Sequence, residues 1–459
     1  MTSVEMQRKR MENLRYAREA VKDCLYEHRI FDYHPGNVSY FLGEYPLKFS
    51  IEPTEYDYET LKKYSELGIT YIKVHEEWND AIRVLGADKY TAHDDKGFRK
   101  FIDMCHSFGL KILPYVSAGY FHIYDPDFKP EWMKQEIYLS GQYFKYGNCS
   151  LESADWRGYF YDKAMNIMDE YGVDGLYDDH APDEMFRLSR EHLAKYGTRF
   201  ESENFPYDPY AEDFYSQLYH GIKKRGGTAI LHIGENYAPP CKERVYDYLM
   251  IGENISNDKD ILKGKAYMPY IINLVDRKTQ TTFSSDYPFV LSIPYMQFTC
   301  LNHGRRLMRD KTTADVTWYD VDMNNPGENS SIQFWRNAAE FAKAHPNGPY
   351  THGEFSSIPD PDDIVDRYGE YLQLYLPMVK DDTVAHIELH ETTLLKNSKV
   401  PEDIIASLFT NEEQYMVLSN IAKEPWEVEL TDEWMDRRSA QRGKTFTVPG
   451  EQILFLQRV

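Results

Sequence analysis

The sequence predicts an α/β protein in which a (β/α)8 TIM barrel is followed by a C-terminal antiparallel β-sandwich. From about residue 46, short apolar runs alternate with amphipathic helical stretches, which is the pattern of βα units around a parallel sheet. None of these runs is followed by GxGxxG or GxxxxGK, so the phosphate-binding motifs of open doubly wound sheets are missing. After about residue 349, alternation at period two between turn-forming residues indicates antiparallel strands.

The elements are placed in chain order from the spacing of their apolar residues. Residues 5–29 are predicted as an amphipathic helix, with Leu14, Val21 and Leu25 among its apolar positions. Barrel strands are predicted at 47–51, 69–74, 110–116, 173–179, 228–236 and 246–254, with less distinct ones at 267–274 and 290–299. Helices are predicted at 56–68, 98–109, 153–171, 213–225 and 332–345, and sandwich strands within 368–377, 382–389, 407–421, 426–430 and 451–459. The predicted domains are an N-terminal helical segment (1–45), the barrel (46–348) and the sandwich (349–459).

Charge and composition exclude several classes of protein. The chain has 52 Lys and Arg against 74 Asp and Glu, a net charge of −22, which argues against a nucleic-acid partner. We expect no membrane span and a cytoplasmic protein, because the sequence has no apolar run of about 18 residues and no signal-peptide core. Five cysteines without a CxxC pair predict reduced thiols rather than a disulfide or zinc framework. The sequence leaves the oligomeric state open.

Carboxylates follow four of the predicted strands, where the active sites of (β/α)8 barrels lie. They are Glu76 after the second strand, Asp178 and Asp179 after the fourth, Glu235 after the fifth and Glu253 after the sixth. Because side chains alternate along a strand, Asp179 shares the inner face with Tyr177, while Asp178 points toward the helices or a loop. Asp179 is therefore the main catalytic candidate, and the alternative is that the Asp pair caps a helix.

Two carboxyl groups are what the hydrolysis of a glycosidic bond needs. One carboxylate attacks the anomeric carbon, and the other, kept protonated by its surroundings, protonates the leaving oxygen. A separation of about 5 Å implies retention of configuration, and one of about 6.5–9.5 Å implies inversion.

Three segments resemble those of the retaining α-galactosidases and their relatives, glycoside hydrolase clan D. These are ELGITYIKVHEEW (66–78), HSFGLKILPYVSAGYF (106–121) and YGVDGLYDDH (171–180). In the third, the nucleophilic Asp follows the Asp of GVD by five residues, which leads from Asp174 to Asp179; α-amylase-like and fucosidase-like barrels share this interval. The resemblance implies a retaining α-glycosidase with Asp179 as nucleophile, Glu76 and Trp78 as substrate contacts, and the acid/base after strand six at Glu253.

The chain also departs from this family. Tyr177 stands where the α-galactosidases have Lys, and His75-Glu76 stand where they have an Asp pair, so the galactose preference is not implied. If the arrangement is that of the amylases, the acid/base follows strand five and is Glu235; the clan D motifs favour Glu253. Further residues expected to contact substrate are Tyr115, Tyr177, Asp178, His180, His232, His303 and Arg306.

Two other functions remain open. One is a carbohydrate-binding barrel without catalysis, which the aromatic content of 15% also fits. The other is a metal-dependent hydrolase, with ligands drawn from His75, His180, His232, His303, Asp178 and Glu235. No HxH or HExxH motif occurs, so we expect neither a metal nor a cofactor. The expected partner is a carbohydrate substrate.

Overall fold

The computed structural model describes most of the chain. The described residues are 3–42, 50–75, 78–79, 90–92, 94–122, 125–138, 145–179, 208–232, 239, 241–251, 264–266, 270–273, 286–305 and 364–459. No helix among them is long and apolar enough to cross a membrane. All five cysteines are free thiols.

Among the described residues, helices and strands alternate over 55–117 and 154–232, as the sequence predicts. The strands up to residue 304 are β1 (Val21–Arg29), β2 (Asn37–Phe41), β3 (Tyr71–Val74), β4 (Lys111–Ser117), β5 (Tyr120–His122), β6 (Met133–Tyr138), β7 (Lys145–Cys149), β8 (Gly175–Asp179), β9 (Thr228–His232), β10 (Tyr248–Ile251), β11 (Ile271–Asn273), β12 (Gln297–Thr299) and β13 (Leu301–Gly304). The helices are α1 (Ser3–Ala20), α2 (Glu55–Leu67), α3 (Asp95–Ser107), α4 (Ala154–Tyr171), α5 (Pro209–Lys224), α6 (Tyr287–Ser292) and α7 (Ile364–Tyr375).

Parallel strands form a closed barrel. Their order is β12-β11-β10-β9-β8-β4-β3-β2-β13, and every neighbouring pair is parallel. Only Cys300 separates β12 from β13 in the chain, so these two are halves of one strand, of which β12 pairs with β11 and β13 with β2. This strand closes the ring as the eighth position, and the (β/α)8 prediction is confirmed.

Local sequence explains where the helices begin and end. Thr54 accepts a hydrogen bond from the backbone N–H of Asp57, whose side chain accepts one from the N–H of Thr54, so α2 begins with a capping box. The same helix ends at Gly68 with φ of 89°, a left-handed conformation that favours glycine. Ser153 caps the first turn of α4 in a similar way.

The N-terminal segment differs from the prediction. The helix predicted over 5–29 ends at Ala20, and β1 follows it and pairs antiparallel with the C-terminal sheet. The spacing of Val21 and Leu25 fits a strand as well as a helix, and pairing with another strand decides the outcome. The first barrel strand is β2 rather than residues 47–51, of which 47–49 lie outside the described residues. Both elements precede residue 46, and β1 belongs to the C-terminal sheet while β2 belongs to the barrel.

The C-terminal domain is a single antiparallel sheet in the order β1-β14-β15-β16-β19-β17-β18. Its further strands are β14 (Val384–Thr392), β15 (Ile404–Thr410), β16 (Gln414–Asn420), β17 (Trp426–Asp436), β18 (Arg442–Val448) and β19 (Gln452–Arg458). One face packs with the barrel through residues such as Phe409 and Phe455, and the other packs with α1 and with the β17–β18 hairpin. The predicted antiparallel β domain is confirmed.

Two further segments were predicted with the wrong secondary structure. Residues 368–377 were expected as a strand but lie in α7 and the 3-10 turn after it, with Tyr368, Tyr371, Leu372 and Tyr375 buried at helical spacing. Residues 290–299 were expected as a strand, but only the β12 portion is one. The helix predicted at 332–345 lies outside the described residues.

Candidate active site

Asp179 ends β8, the fourth strand of the barrel. In the register of the sheet it lies opposite Ser117 of β4 and His232 of β9. At the other end of β8, Gly175 approaches β9 so closely that a Cβ atom would overlap with the carbonyl oxygen of Thr228. Glycine at this position allows β8 and β9 to pack closely, which places the Asp179 carboxylate beside His232.

His232 contacts the Asp179 carboxylate directly. Its Nδ1 atom is 2.7 Å from Oδ1 of Asp179 and 3.1 Å from the hydroxyl oxygen of Tyr177. The Tyr177 hydroxyl is the hydrogen-bond partner of Nδ1, and the Asp179 oxygen lies in close contact with the same atom. The side chains of His232 and Asp179 are 1% and 10% exposed, which strengthens their interaction relative to water.

His75 follows β3 at the same end of the barrel. Its ring centroid is 5.5 Å from that of Tyr115. Burial lowers the pKa of His75 to about 4; the Asp179 carboxylate acts in the opposite direction, while Lys73 and His232 add to the lowering. His75 is therefore neutral at physiological pH and can donate or accept a hydrogen bond without adding charge to the site.

Asp178 points away from the barrel lumen, in agreement with the alternation of side chains. The backbone N–H of Ala118 donates to its Oδ1 atom at 3.0 Å. Burial and then the charge of Asp178 raise the pKa of Tyr215 on α5, and the charge of Asp179 adds a smaller contribution. Asp178 thus holds the segment after β4, and its predicted contact with substrate is corrected.

Asp174, the other end of the five-residue interval, belongs to the opposite end of the barrel. Its carboxylate accepts hydrogen bonds from the backbone N–H of Ile112 at 2.9 Å and from Nε2 of His106 at 2.8 Å. Its own backbone N–H donates to the carbonyl oxygen of Ile112. Asp174 therefore joins the start of β8 to the start of β4, and only Asp179 of this motif lies at the carboxyl end.

Two predicted substrate contacts face the helices instead. Trp78 is fully buried and stacks on Phe98 of α3, with ring centroids 5.1 Å apart. His303 lies on the outer face of β13, where its Nδ1 atom is hydrogen-bonded to the hydroxyl of Tyr64 in α2. Both side chains stabilise the packing of strands against helices, and the prediction that they bind substrate is corrected.

Tyr115 and Tyr177 lie inside the barrel, below the carboxyl ends of the strands. Their rings meet edge to face with centroids 5.7 Å apart, and they are 1% and 3% exposed. They form the floor under Asp179 rather than an open platform for a sugar ring. Sequence reasoning gave no role to Lys73, which shares the inner face of β3; a lysine within the otherwise apolar run ITYIKV is the signal that could have identified it.

The remaining predicted site residues fall outside the described part of the chain. They are Glu76, His180, Glu235, Glu253 and Arg306. Arg305, which precedes Arg306 in the chain, is buried and makes a bidentate ion pair with Asp57 of α2; its Nη2 atom is 2.6 Å from Oδ2. Among the described residues, no group of three His, Cys, Asp or Glu side chains is arranged to hold a metal ion.

The comparisons with known proteins establish the fold. An α-amylase from Geobacillus thermoleovorans, solved with acarbose, has a TM-score of 0.55 and 11% identity, over 93% of this chain and 99% of its own. A maltogenic α-amylase from Thermotoga neapolitana has a TM-score of 0.53 and 12% identity, over 93% and 100%. An α-glucosyl transfer enzyme has a TM-score of 0.56 and 12% identity, over 93% and 99%. No family model matches the sequence, and neither does any curated protein.

This similarity corrects the resemblance inferred from the motifs. The similar structures reported above, which this fold resembles over almost its full length, are α-amylases and an α-glucosyl transfer enzyme. The chain shares with them the barrel and the β domain that follows it, and at 11–12% identity the likeness establishes the fold alone. The five-residue interval that ends at Asp179 is common to both groups of barrels and so did not distinguish them.

Proposed function

We propose that the protein is a retaining glycoside hydrolase that cleaves an α-linked glycoside, with Asp179 as its nucleophile. The observation that supports this most directly is the position of Asp179, a buried carboxylate on the inner face of the fourth strand end, held by His232 at 2.7 Å. Catalytic groups of (β/α)8 enzymes lie at this end of the barrel. The similar structures include two α-amylases, whose names also point to an α-linked carbohydrate as substrate.

Glu235 is the acid/base in this proposal, rather than Glu253. Adjacent strands are about 4.8 Å apart, and a retaining enzyme needs carboxyl groups about 5–5.5 Å apart. β9, which ends three residues before Glu235, is the direct neighbour of β8, whereas β10, which precedes Glu253, is one strand further away. The amylase-like arrangement, in which the acid follows strand five, agrees with this choice.

The proposed reaction has two steps. Asp179 attacks the anomeric carbon and forms a glycosyl ester while the glycosidic C–O bond breaks, and Glu235 gives its proton to the leaving oxygen. Glu235 then takes a proton from water, and the resulting nucleophile attacks the anomeric carbon and releases Asp179 as a carboxylate. The close contact of His232 Nδ1 with Oδ1 restricts the rotation of the Asp179 carboxylate in both steps.

A trapping experiment tests this assignment. A 5-fluoro-α-glycosyl fluoride, followed by digestion and mass spectrometry, should label Asp179. Asp179→Asn should lower kcat with 4-nitrophenyl α-glycosides by about 10³-fold or more, equivalent to about 4 kcal/mol of transition-state stabilisation. Asp178→Asn is the matched control, because Asp178 faces the helices and an amide still accepts from Ala118.

The outcomes separate the alternatives. Label on another carboxylate, or full turnover in Asp179→Asn, would refute the role of Asp179. Binding of α-glucans without turnover of any aryl glycoside would instead favour a carbohydrate-binding barrel without catalysis. Loss of activity in Glu253→Gln with full activity in Glu235→Gln would reverse the choice of acid/base.

A further inference from the structure

A lysine lies inside the barrel, below the carboxyl end where Asp179 is found. Lys73 of β3 is 1% exposed. Its Nζ atom is 3.1 Å from the sulfur of Met250 and 4.9 Å from the centroid of the Tyr177 ring. In the part of the chain that the structure describes, these are its close contacts, and no carboxylate lies within ion-pairing distance of it.

The position of Lys73 is one that barrels normally fill with an apolar side chain. Lys73, Tyr177 and Met250 come from the second, fourth and sixth strands and meet in the lumen. In a (β/α)8 barrel, alternate strands contribute four side chains to each core layer, and bulky branched residues dominate there. An ammonium group in such a layer loses its hydration, so its retention requires an opposite charge nearby.

The layer above contains a carboxylate. His75 lies two residues beyond Lys73 on the second strand, and Asp179 lies two residues beyond Tyr177 on the fourth. Both charges act on the pKa of the His75 ring: Asp179 raises it and Lys73 lowers it. The ammonium and the carboxylate therefore act on the same imidazole ring.

Among the described residues near Asp179, the other side chains carry no ammonium or guanidinium group. The titratable side chains of this neighbourhood are Lys73 of β3, His75 directly after it, Tyr115 of β4, Tyr177 and Asp178 of β8, Tyr215 of α5 and His232 of β9. Of these, Lys73 is the one that ends in an ammonium group.

We propose that Lys73 is the counter-charge of the Asp179 carboxylate, a positioning residue whose buried ammonium keeps Asp179 ionised and therefore able to act as a nucleophile. The catalytic part of this statement depends on the proposed function. The electrostatic coupling between Lys73 and Asp179 does not, and it can be measured without a substrate.

The first test is a double-mutant cycle on unfolding by urea at pH 7.5, with Lys73→Met, Asp179→Asn and the double variant. Lys73→Met should raise the unfolding equilibrium constant at least tenfold more with Asp179 present than with Asn at that position. Lys111→Met is the matched control: this lysine is at the opposite end of the barrel, its Nζ 5.6 Å from the centroid of the Tyr71 ring, and its effect should be equal in both backgrounds. Equal effects of Lys73→Met in both backgrounds would overturn the proposal.

A failure of Lys73→Met to fold does not weaken this test. If the double variant Lys73→Met/Asp179→Asn folds and Lys73→Met does not, this difference itself demonstrates the coupling. If neither variant folds, the stability of Asp179→Asn is compared with that of the wild type at pH 7.5. If the Lys73 ammonium balances the charge of the Asp179 carboxylate, the wild type is the more stable protein. If it does not, Asp179→Asn is the more stable protein, which would refute the proposal.

The second test measures catalysis with 4-nitrophenyl α-D-glucopyranoside and the matching galactoside. The acid limb of the pH profile of kcat/KM should move upward by about one pH unit or more in Lys73→Met and should stay in place in Lys111→Met, because the nucleophile becomes harder to ionise. An unmoved limb in an active Lys73→Met enzyme would contradict the proposal. If the wild type turns over neither substrate, the proposed function fails, and the unfolding cycle still decides whether the charges are coupled.

Discussion

Stability should depend on pH through His75. Its pKa falls from 6.5 to about 4 in the folded protein, because burial disfavours the charged ring. Between these two values the unfolded chain binds a proton that the folded protein does not, so stability is lost as the pH falls from 6.5 toward 4. At about 1.4 kcal/mol per pH unit, this loss is at most about 3 kcal/mol, a large part of the roughly 5–15 kcal/mol typical of folded proteins.

The measurement compares wild type with His75→Gln in urea unfolding at pH values from 4 to 7.5. The difference in the free energy of unfolding between the two proteins should change by about 3 kcal/mol over this range, with the wild type losing more in acid. His28 and His386, whose pKa values are also lowered by burial, are present in both proteins and cancel. Parallel curves for wild type and variant would show that His75 titrates normally and that the reasoning is wrong.

Three further predictions concern the barrel and its site. Arg305→Met or Asp57→Asn alone should each lower stability by about 3–5 kcal/mol, because each leaves one partner of a buried ion pair without its opposite charge. The double variant should lose less stability than the two single variants combined, and additive losses would exclude this coupling. Gly175→Ala should cost about 2–4 kcal/mol in chemical denaturation, because the added Cβ would overlap with Thr228; an unchanged midpoint would contradict the close approach. His232→Gln should lower kcat about 30-fold, the equivalent of about 2 kcal/mol, because the Asp179 carboxylate loses its close contact with Nδ1 of His232; urea stability is the check against unfolding.

The regular βα units could be predicted because burial against helices makes their strands continuously apolar. The strand at Tyr71–Val74 lies within the predicted 69–74, and Gly68 marks the end of the helix before it. The first barrel strand was missed for the opposite reason. β2 carries Asn37 and Ser39 on its inner face, so its letters NVSYF do not stand out as an apolar run.

The orientation of Asp179 could be predicted from alternation alone, and its partners could not. Which strand lies beside β8 depends on the closure of the ring, which no local pattern encodes, and the preference for Glu253 came from short motifs rather than from strand order. Trp78 shows a related limit. An aromatic ring shortly after a strand can face a ligand or fold back onto a helix, and here packing against Phe98 decides between the two.

The pairing of β1 with β14 has a consequence for synthesis on the ribosome. Among the described residues, the strand that begins at Val21 pairs with β14, and this pairing cannot be completed until Thr392 has been added to the growing chain. At roughly 5–20 residues per second, this interval lasts roughly 20–70 seconds, during which a nine-residue ribbon emerges with its backbone donors and acceptors open to other chains. Charged side chains lie along that ribbon, at Lys22, Asp23, Glu27 and Arg29. Such residues disfavour pairing with other chains until β14 has been synthesised.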